Sequence, residues 1–223
     1  MKSLVLIPAK DEAEKISLVV GEVKKLGYDV VVVDDGSKDR TTSLAKDANA
    51  VVLRHIINRG QGASIKTGTA YAIKHGYEAV VFFDADGQMK ADEISLLLGK
   101  LDDDHDVILG SRFLGRTENM PLAKGITLKL ALLFTRVTTG LKLSDVHNGF
   151  QAWKISAWKK VNLTQDRQAY ASEILQEIAD NHLKYIEVPV TIIYSDYSKA
   201  KGQSIWNAFN ILWDLLIKKS FFD

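Results

Sequence analysis

The chain has 223 residues, with 29 basic and 28 acidic side chains, a net charge of +1 and no cysteine. That length suits one α/β domain with a full core, and the even charge gives no case for wholesale nucleic-acid binding. The missing thiols exclude disulfides, thiolate metal sites and a cysteine nucleophile, and fit a reducing cytoplasm.

Residues 1–9 carry too short an apolar segment for a signal peptide, and no stretch reaches the roughly 20 apolar residues that cross a bilayer as a helix. Residues 3–9 (SLVLIPA) read as a first buried strand, and residues 10–26 as a helix with Ile16, Val19, Val20 and Val23 at helical spacing, stopped by Gly27. A second strand, DVVVVD over 29–34, ends in Asp34-Asp35-Gly36-Ser37, and a short helix over 41–48 and a third strand over 51–55 follow. The glycine-bearing loop 58–62 feeds a helix over 63–75, closed by Gly76. A fourth strand, Val80 to Phe83, is apolar on both faces, as strands buried in parallel sheets are. A helix over 91–101 and a strand over 106–110 complete a β-α-β-α rhythm that predicts a doubly wound, mostly parallel sheet flanked by helices. After Arg112 the rhythm breaks: a helix over 122–139, a strand over 149–155, an amphipathic helix over 171–183, and a strand over 185–194 that Pro189 places at an edge or bulge. A last amphipathic helix over 204–219 makes the division a catalytic domain over 1–203 and a membrane- or partner-facing tail over 204–223.

Three strand ends carry acidic chemistry: Pro8-Ala9-Lys10-Asp11-Glu12, Val33-Asp34-Asp35-Gly36-Ser37 and Asp84-Ala85-Asp86-Gly87-Gln88. Parallel strands bring all three to one edge of the sheet, where open α/β sheets bind ligands. Asp84, Asp86 and Gln88 form an oxygen-rich set suited to a hard divalent cation that also holds phosphate oxygens, although Asp and Gly after a strand also make a plain turn. Gly60-Gln61-Gly62 through Lys66 is not a P-loop, because Ile65 stands where the second glycine belongs. It either brings a helix N-terminus near phosphates or is a tight turn.

IPAKDEAEKI, VVVDDGSKDRT, NRGQGASIKTG, FFDADGQM, GSRF and DVHNGFQAWK, in this order and spacing, resemble a family 2 glycosyltransferase with the Rossmann-like GT-A fold. EILQEIA followed by EVPVTIIY resembles, within it, the dolichyl-phosphate mannose synthase branch and its bacterial relatives that glycosylate polyprenyl phosphates. The resemblance implies that Pro8, Ala9, Glu12, Val33 and Asp35 hold nucleobase and ribose, with Gly62 and Lys66 nearby, and that Asp84 and Ala85 line the nucleotide sugar. Asp84, Asp86 and Gln88 match ligands of Mg²⁺ or Mn²⁺, Arg112 matches an arginine that meets a substrate phosphate, and residues 145–150 shape the acceptor side. Asp145 and Glu173 are the candidate bases if the acceptor is a hydroxyl, with Asp145 alternatively bonding backbone N–H groups of its own loop; an acceptor that is already a phosphate anion needs no base. Lys124, Lys199 and Lys201 are candidate cations for that phosphate. One departure is Ser195, near the place of an arginine in mannose synthases, which opens the donor to UDP- as well as GDP-linked hexoses.

The expected activity is metal-dependent transfer of a hexose to a polyprenyl phosphate, with inversion carried over from the family, by a protein peripheral to the cytoplasmic membrane face. The 122–139 helix and the last helix both resemble interfacial helices. The last helix would alternatively dock on a small integral membrane protein or a second copy. Rival readings are transfer to a sugar hydroxyl of a polysaccharide, a sugar nucleotidyltransferase, and an inactive binding module.

Overall fold

The computed structural model describes residues 1–167 and 169–201, so the helix expected over 204–219, the 203/204 boundary and the side chains of Lys199 and Lys201 lie outside the described residues. Seven strands form one sheet: β1 (Ser3–Ala9), β2 (Asp29–Asp34), β3 (Val51–Arg54), β4 (Ala79–Phe82), β5 (Val107–Glu118), β6 (Gln151–Lys154) and β7 (Tyr185–Ile193). Their order is β3-β2-β1-β4-β6-β5-β7, and β6 alone runs antiparallel to its neighbours. The helices are α1 (Ile16–Lys25), α2 (Thr41–Asp47), α3 (Gln61–Lys74), α4 (Ile94–Leu98), α5 (Leu122–Thr139), α6 (Ile155–Trp158), α7 (Tyr170–Asp180) and α8 (Asp196–Lys201).

Successive side chains of a strand point to opposite faces, and here both faces are covered. Val5, Ile7, Val30, Val32, Val81 and Phe83 pack with α1 and α4 in one core layer. Leu4, Leu6, Val31, Val33, Val80 and Phe82 pack with α3, α5 and α7 in the other. This two-sided burial is why the central strands read as continuous apolar runs rather than alternating ones.

Three elements differ from the sequence expectation. The first helix begins at Ile16 rather than residue 10, because Asp11 sits at φ 53° and the N–H groups of Asp11, Glu12 and Ala13 are taken by side chains of Ser37, Thr41 and Asp39. The helix expected over 91–101 is a 3₁₀ turn, Ala91–Glu93, followed by α4, which ends at Leu98. β5 continues to Glu118 because β7 pairs with it along its length, with a register shift between Ser111 and Arg116 opposite Pro189. Proline has no N–H for the ladder, so both halves of its expectation hold: β7 is the edge strand and the bulge faces Pro189.

Candidate active site

The carboxyl ends of β1, β2 and β4 lie side by side, since β1 pairs with both of the others in parallel. Asp35 N–H donates to the Ala9 carbonyl at 2.9 Å, and Asp11 Oδ1 accepts the Lys38 N–H at 2.7 Å. The tips of β1 and β2 therefore form one cross-linked rim. At the β4 tip, Asp84 is pushed up to about 7 by burial and then by the charge of Asp86, with Glu12 of the β1 tip adding to the repulsion. Asp86 is raised as well, by burial first and by Glu12 among its neighbours. Three carboxylates from two strand tips thus share one electrostatic neighbourhood.

Two cations answer them. Arg112 from β5 and Lys124 from the first turn of α5 both act on this acidic pair, Arg112 pulling Asp84 down and Lys124 pulling Asp86 down. Arg112 is 5% exposed. Its Nε donates to Asp145 Oδ2 at 2.7 Å, Nη1 to Tyr194 Oη at 2.8 Å, and Nη2 to the carbonyls of Val146 and His147 at 3.3 and 3.2 Å. Burial opposes its charge, but Asp145 and Tyr194 more than compensate and hold its pKa above the ordinary range. The segment before β6 closes the floor: a Cβ on Gly149 would stand 2.7 Å from Asp84 Oδ2.

The pair fits a divalent cation. Two partly desolvated carboxylates that repel one another lose that penalty when a hard cation engages both. Among the described residues no group of three or more His, Cys, Asp or Glu side chains is placed to hold a metal, so a cation here would draw its remaining oxygens from Gln88, water or a bound diphosphate. Gln88 N–H donates to Asp86 Oδ1 at 3.0 Å, and its carbonyl accepts from Ile193 N–H at 2.9 Å, which ties the acidic turn to β7.

The profile of the family described as glycosyl transferase family 2 matches residues 4–161. This chain belongs to that family. The transferase is 32% identical, over 96% of its length and 94% of the other protein, to UDP-N-acetylglucosamine–dolichyl-phosphate N-acetylglucosaminyltransferase of Methanococcus voltae. It is 31% identical, over 93% and 84%, to polyprenol monophosphomannose synthase of Mycolicibacterium smegmatis, which places it in the mannose-synthase-like part of the family. Glucosyl-3-phosphoglycerate synthase of Mycobacterium tuberculosis, solved with Mn²⁺, UDP-glucose and phosphoglyceric acid, superposes with a TM-score of 0.75 at 17% identity, covering 100% of this chain and 81% of that one. The fold is GT-A.

The transferase does not bring every residue singled out from sequence to the acidic pair. Pro8 and Val33 face each other in the β1–β2 ladder, with Ala9 next to them and Ala85 buried at the β4 tip. Asp35 is internally engaged: Oδ1 accepts from His55 Nδ1 and Arg59 N–H, both at 2.8 Å, and Oδ2 from Gly60 N–H at 2.7 Å. Gly62 packs against the 165–170 segment, since a Cβ there would be 2.3 Å from the Gln165 carbonyl and 2.9 Å from Tyr170 Cβ. Lys66 is paired with Asp166, and the Ala63 N–H at the start of α3 donates to the Asp166 carbonyl at 3.0 Å.

Both candidate bases are engaged by neighbouring donors. Asp145 accepts from Arg112 N–H, Arg112 Nε and Val146 N–H at 2.9, 2.7 and 2.7 Å. Glu173 spends both oxygens on the Thr164 and Gln165 N–H groups, at 3.0 and 2.9 Å. Four groups that sequence reasoning passed over do reach the site. Gln61 Nε2 donates to Asp84 Oδ1 at 3.3 Å, and the Tyr197 hydroxyl to Glu12 Oε2 at 2.7 Å. Tyr194 binds Arg112, and His147 is held below its ordinary pKa by desolvation and by Arg112. Gln61, His147 and Tyr194 stand inside NRGQGASIKTG, DVHNGFQAWK and EVPVTIIY, which gave them no role of their own, and Tyr197 follows β7 with no local signal.

Proposed function

We propose that this glycosyltransferase moves a hexose from a nucleoside diphosphate sugar to a polyprenyl phosphate, with inversion and with Mg²⁺ or Mn²⁺ held by Asp84 and Asp86, at the cytoplasmic membrane face. One observation carries the reading: the acidic pair and its two cations stand at the foot of an exposed apolar helix face. From its first residue onward, α5 presents Leu122, Ile126, Leu130, Leu133 and Val137 to solvent, with Leu122 89% and Val137 78% exposed. The same helix carries Lys124, Lys129 and Arg136 and no acidic residue. A cation-flanked apolar stripe suits an anionic lipid surface, and no helix among the described residues is long and apolar enough to cross a membrane. The named relatives act on dolichyl or polyprenyl phosphates.

The chemistry is consistent with that acceptor. A divalent cation supplies charge stabilisation to the departing diphosphate, and Arg112 and Lys124 add to it as negative charge develops. A lipid phosphate attacks as an anion and needs no base, so the engagement of Asp145 and Glu173 takes nothing from that reaction. A sugar-hydroxyl acceptor would call for a base, and His147, kept neutral beside Arg112, is the group that favours this second reading.

A thermal-shift screen of UDP- and GDP-sugars with Mn²⁺ identifies the donor, after which incubation with undecaprenyl phosphate is expected to give a lipid whose sugar is released by mild acid. An acid-resistant glycoside sinks the lipid-phosphate reading, and absence of any nucleotide-sugar shift sinks the donor site. The membrane reading has its own check. Leu130→Asp with Leu133→Asp is expected to cut binding to phosphatidylglycerol-containing vesicles at least tenfold, at about 1.5 kcal/mol or more per buried leucine, without lowering the melting temperature. Unchanged flotation would assign the stripe another role.

A further inference from the structure

Arg112 and Lys124 place two like charges against one acidic pair, and Lys124 is held below its ordinary pKa by desolvation and then by Arg112, against the pull of Asp86 and Asp84. One side chain touches both cations. The Tyr194 hydroxyl accepts from Arg112 Nη1 at 2.8 Å, and Lys124 Nζ lies 5.6 Å from the Tyr194 ring centroid. Tyr194 is 2% exposed and follows the last residue of β7, where its N–H donates to the Glu118 carbonyl at 2.9 Å. It is therefore a fixed post rather than a mobile surface tyrosine.

The two cations differ in what they have left to give. A guanidinium has five N–H donors, and Asp145, Tyr194 and the Val146 and His147 carbonyls already surround that of Arg112. Four of those five donors are engaged, so its charge is fixed in place and at most one N–H is left for a ligand. Lys124 is exposed, on the first turn of α5, and the negative face of an aromatic ring attracts an ammonium without consuming its N–H donors. The ring can seat the charge and leave the donors for a ligand.

We propose that Tyr194 is the positioning residue of this site: its hydroxyl locks Arg112 as a static field beneath the acidic pair, and its ring steers Lys124 so that the lysine is the cation that grips an incoming phosphate. This rests on the reading of the site as a phosphate-handling transferase site, and names the residue that divides the work between its cations.

Two variants separate the two contacts. Tyr194→Phe keeps the ring and removes the hydroxyl; it is expected to lower kcat about tenfold, the scale of one hydrogen bond to a charged group, with KM for undecaprenyl phosphate held. Tyr194→Leu removes the ring too and is expected to raise that KM by a further three- to tenfold, the scale of a cation–π contact. In ¹⁵N spectra, restricted rotation of the Arg112 guanidinium is expected in the wild type and lost in both variants. Magnesium pyrophosphate is expected to bind the wild type and Tyr194→Phe alike and Tyr194→Leu more weakly. The proposal is overturned if Tyr194→Phe leaves kcat and the Arg112 spectrum unchanged, or if both variants lose activity only in step with melting temperature. Should the wild type glycosylate no lipid phosphate, the functional reading fails, and the Arg112 spectrum and pyrophosphate affinity still decide the role of Tyr194.

Discussion

Asp84→Asn is expected to stabilise the metal-free protein at pH 8 while removing transfer. Asp84 is pushed up to about 7 in the folded chain, by burial and by Asp86, against about 3.9 in an unfolded chain. A carboxyl that keeps its proton longer in the folded state makes the folded state bind more protons, so stability falls as pH rises between those two values and stays low above about 7. At about 1.4 kcal/mol per pH unit, and with the charge shared with Asp86, the neutral amide should recover about 2–4 kcal/mol. For a chain of this length that is roughly 5–10 °C in melting temperature. Below about pH 4, where Asp84 is protonated folded or unfolded, the difference should vanish. Transfer should fall by roughly 10² to 10³, as when one preorganised electrostatic partner is removed from a transition state. Melting curves of both proteins from pH 4 to 8 without added metal check this, and an Asp84→Asn protein that melts lower at pH 8 would contradict it.

Asp145→Ala is expected to do the reverse and weaken the fold. Arg112 and Asp145 are 5% exposed each and bonded at 2.7 Å. Removing one partner strands a buried charge, at about 3–5 kcal/mol. Replacing both, as in Arg112→Met with Asp145→Leu, should return only part of that stability: the stranded charge is gone, while the buried Arg112 and Val146 N–H groups still lose their acceptor. The double variant should still transfer nothing, since the field at Asp84 is gone. Urea unfolding of the two proteins makes the comparison. A loss under about 1 kcal/mol in Asp145→Ala would mean that water, not Asp145, satisfies Arg112.

The fold was legible wherever one local signal sufficed. Buried parallel strands are apolar throughout, so β1 and β2 stand in the sequence with their observed ends, and α5 is marked by its apolar stripe and following glycine. What escaped depends on distant partners. The late start of α1 is set by Ser37, Asp39 and Thr41, and the length of β5 by a strand that begins some seventy residues later. Both are satisfied in space and leave no period in the chain. The acidic pair was readable because three strand ends carry carboxylates and parallel pairing brings such ends to one edge of the sheet. For Asp145 the sequence left a base and a partner of loop N–H groups equally open, and for Glu173 it pointed to the base alone, because a carboxylate that caps backbone N–H groups and one that takes a proton look the same in one dimension.

Gly149 turns this tight fit into a diagnostic. With the Asp84 carboxylate 2.7 Å from where a methyl would begin, even alanine must push that carboxylate aside. A library randomised at this codon should therefore return glycine almost alone among functional clones. Any relative bearing another amino acid there is expected to have rearranged its strand-four aspartates, and so to differ in metal preference before a single assay is run.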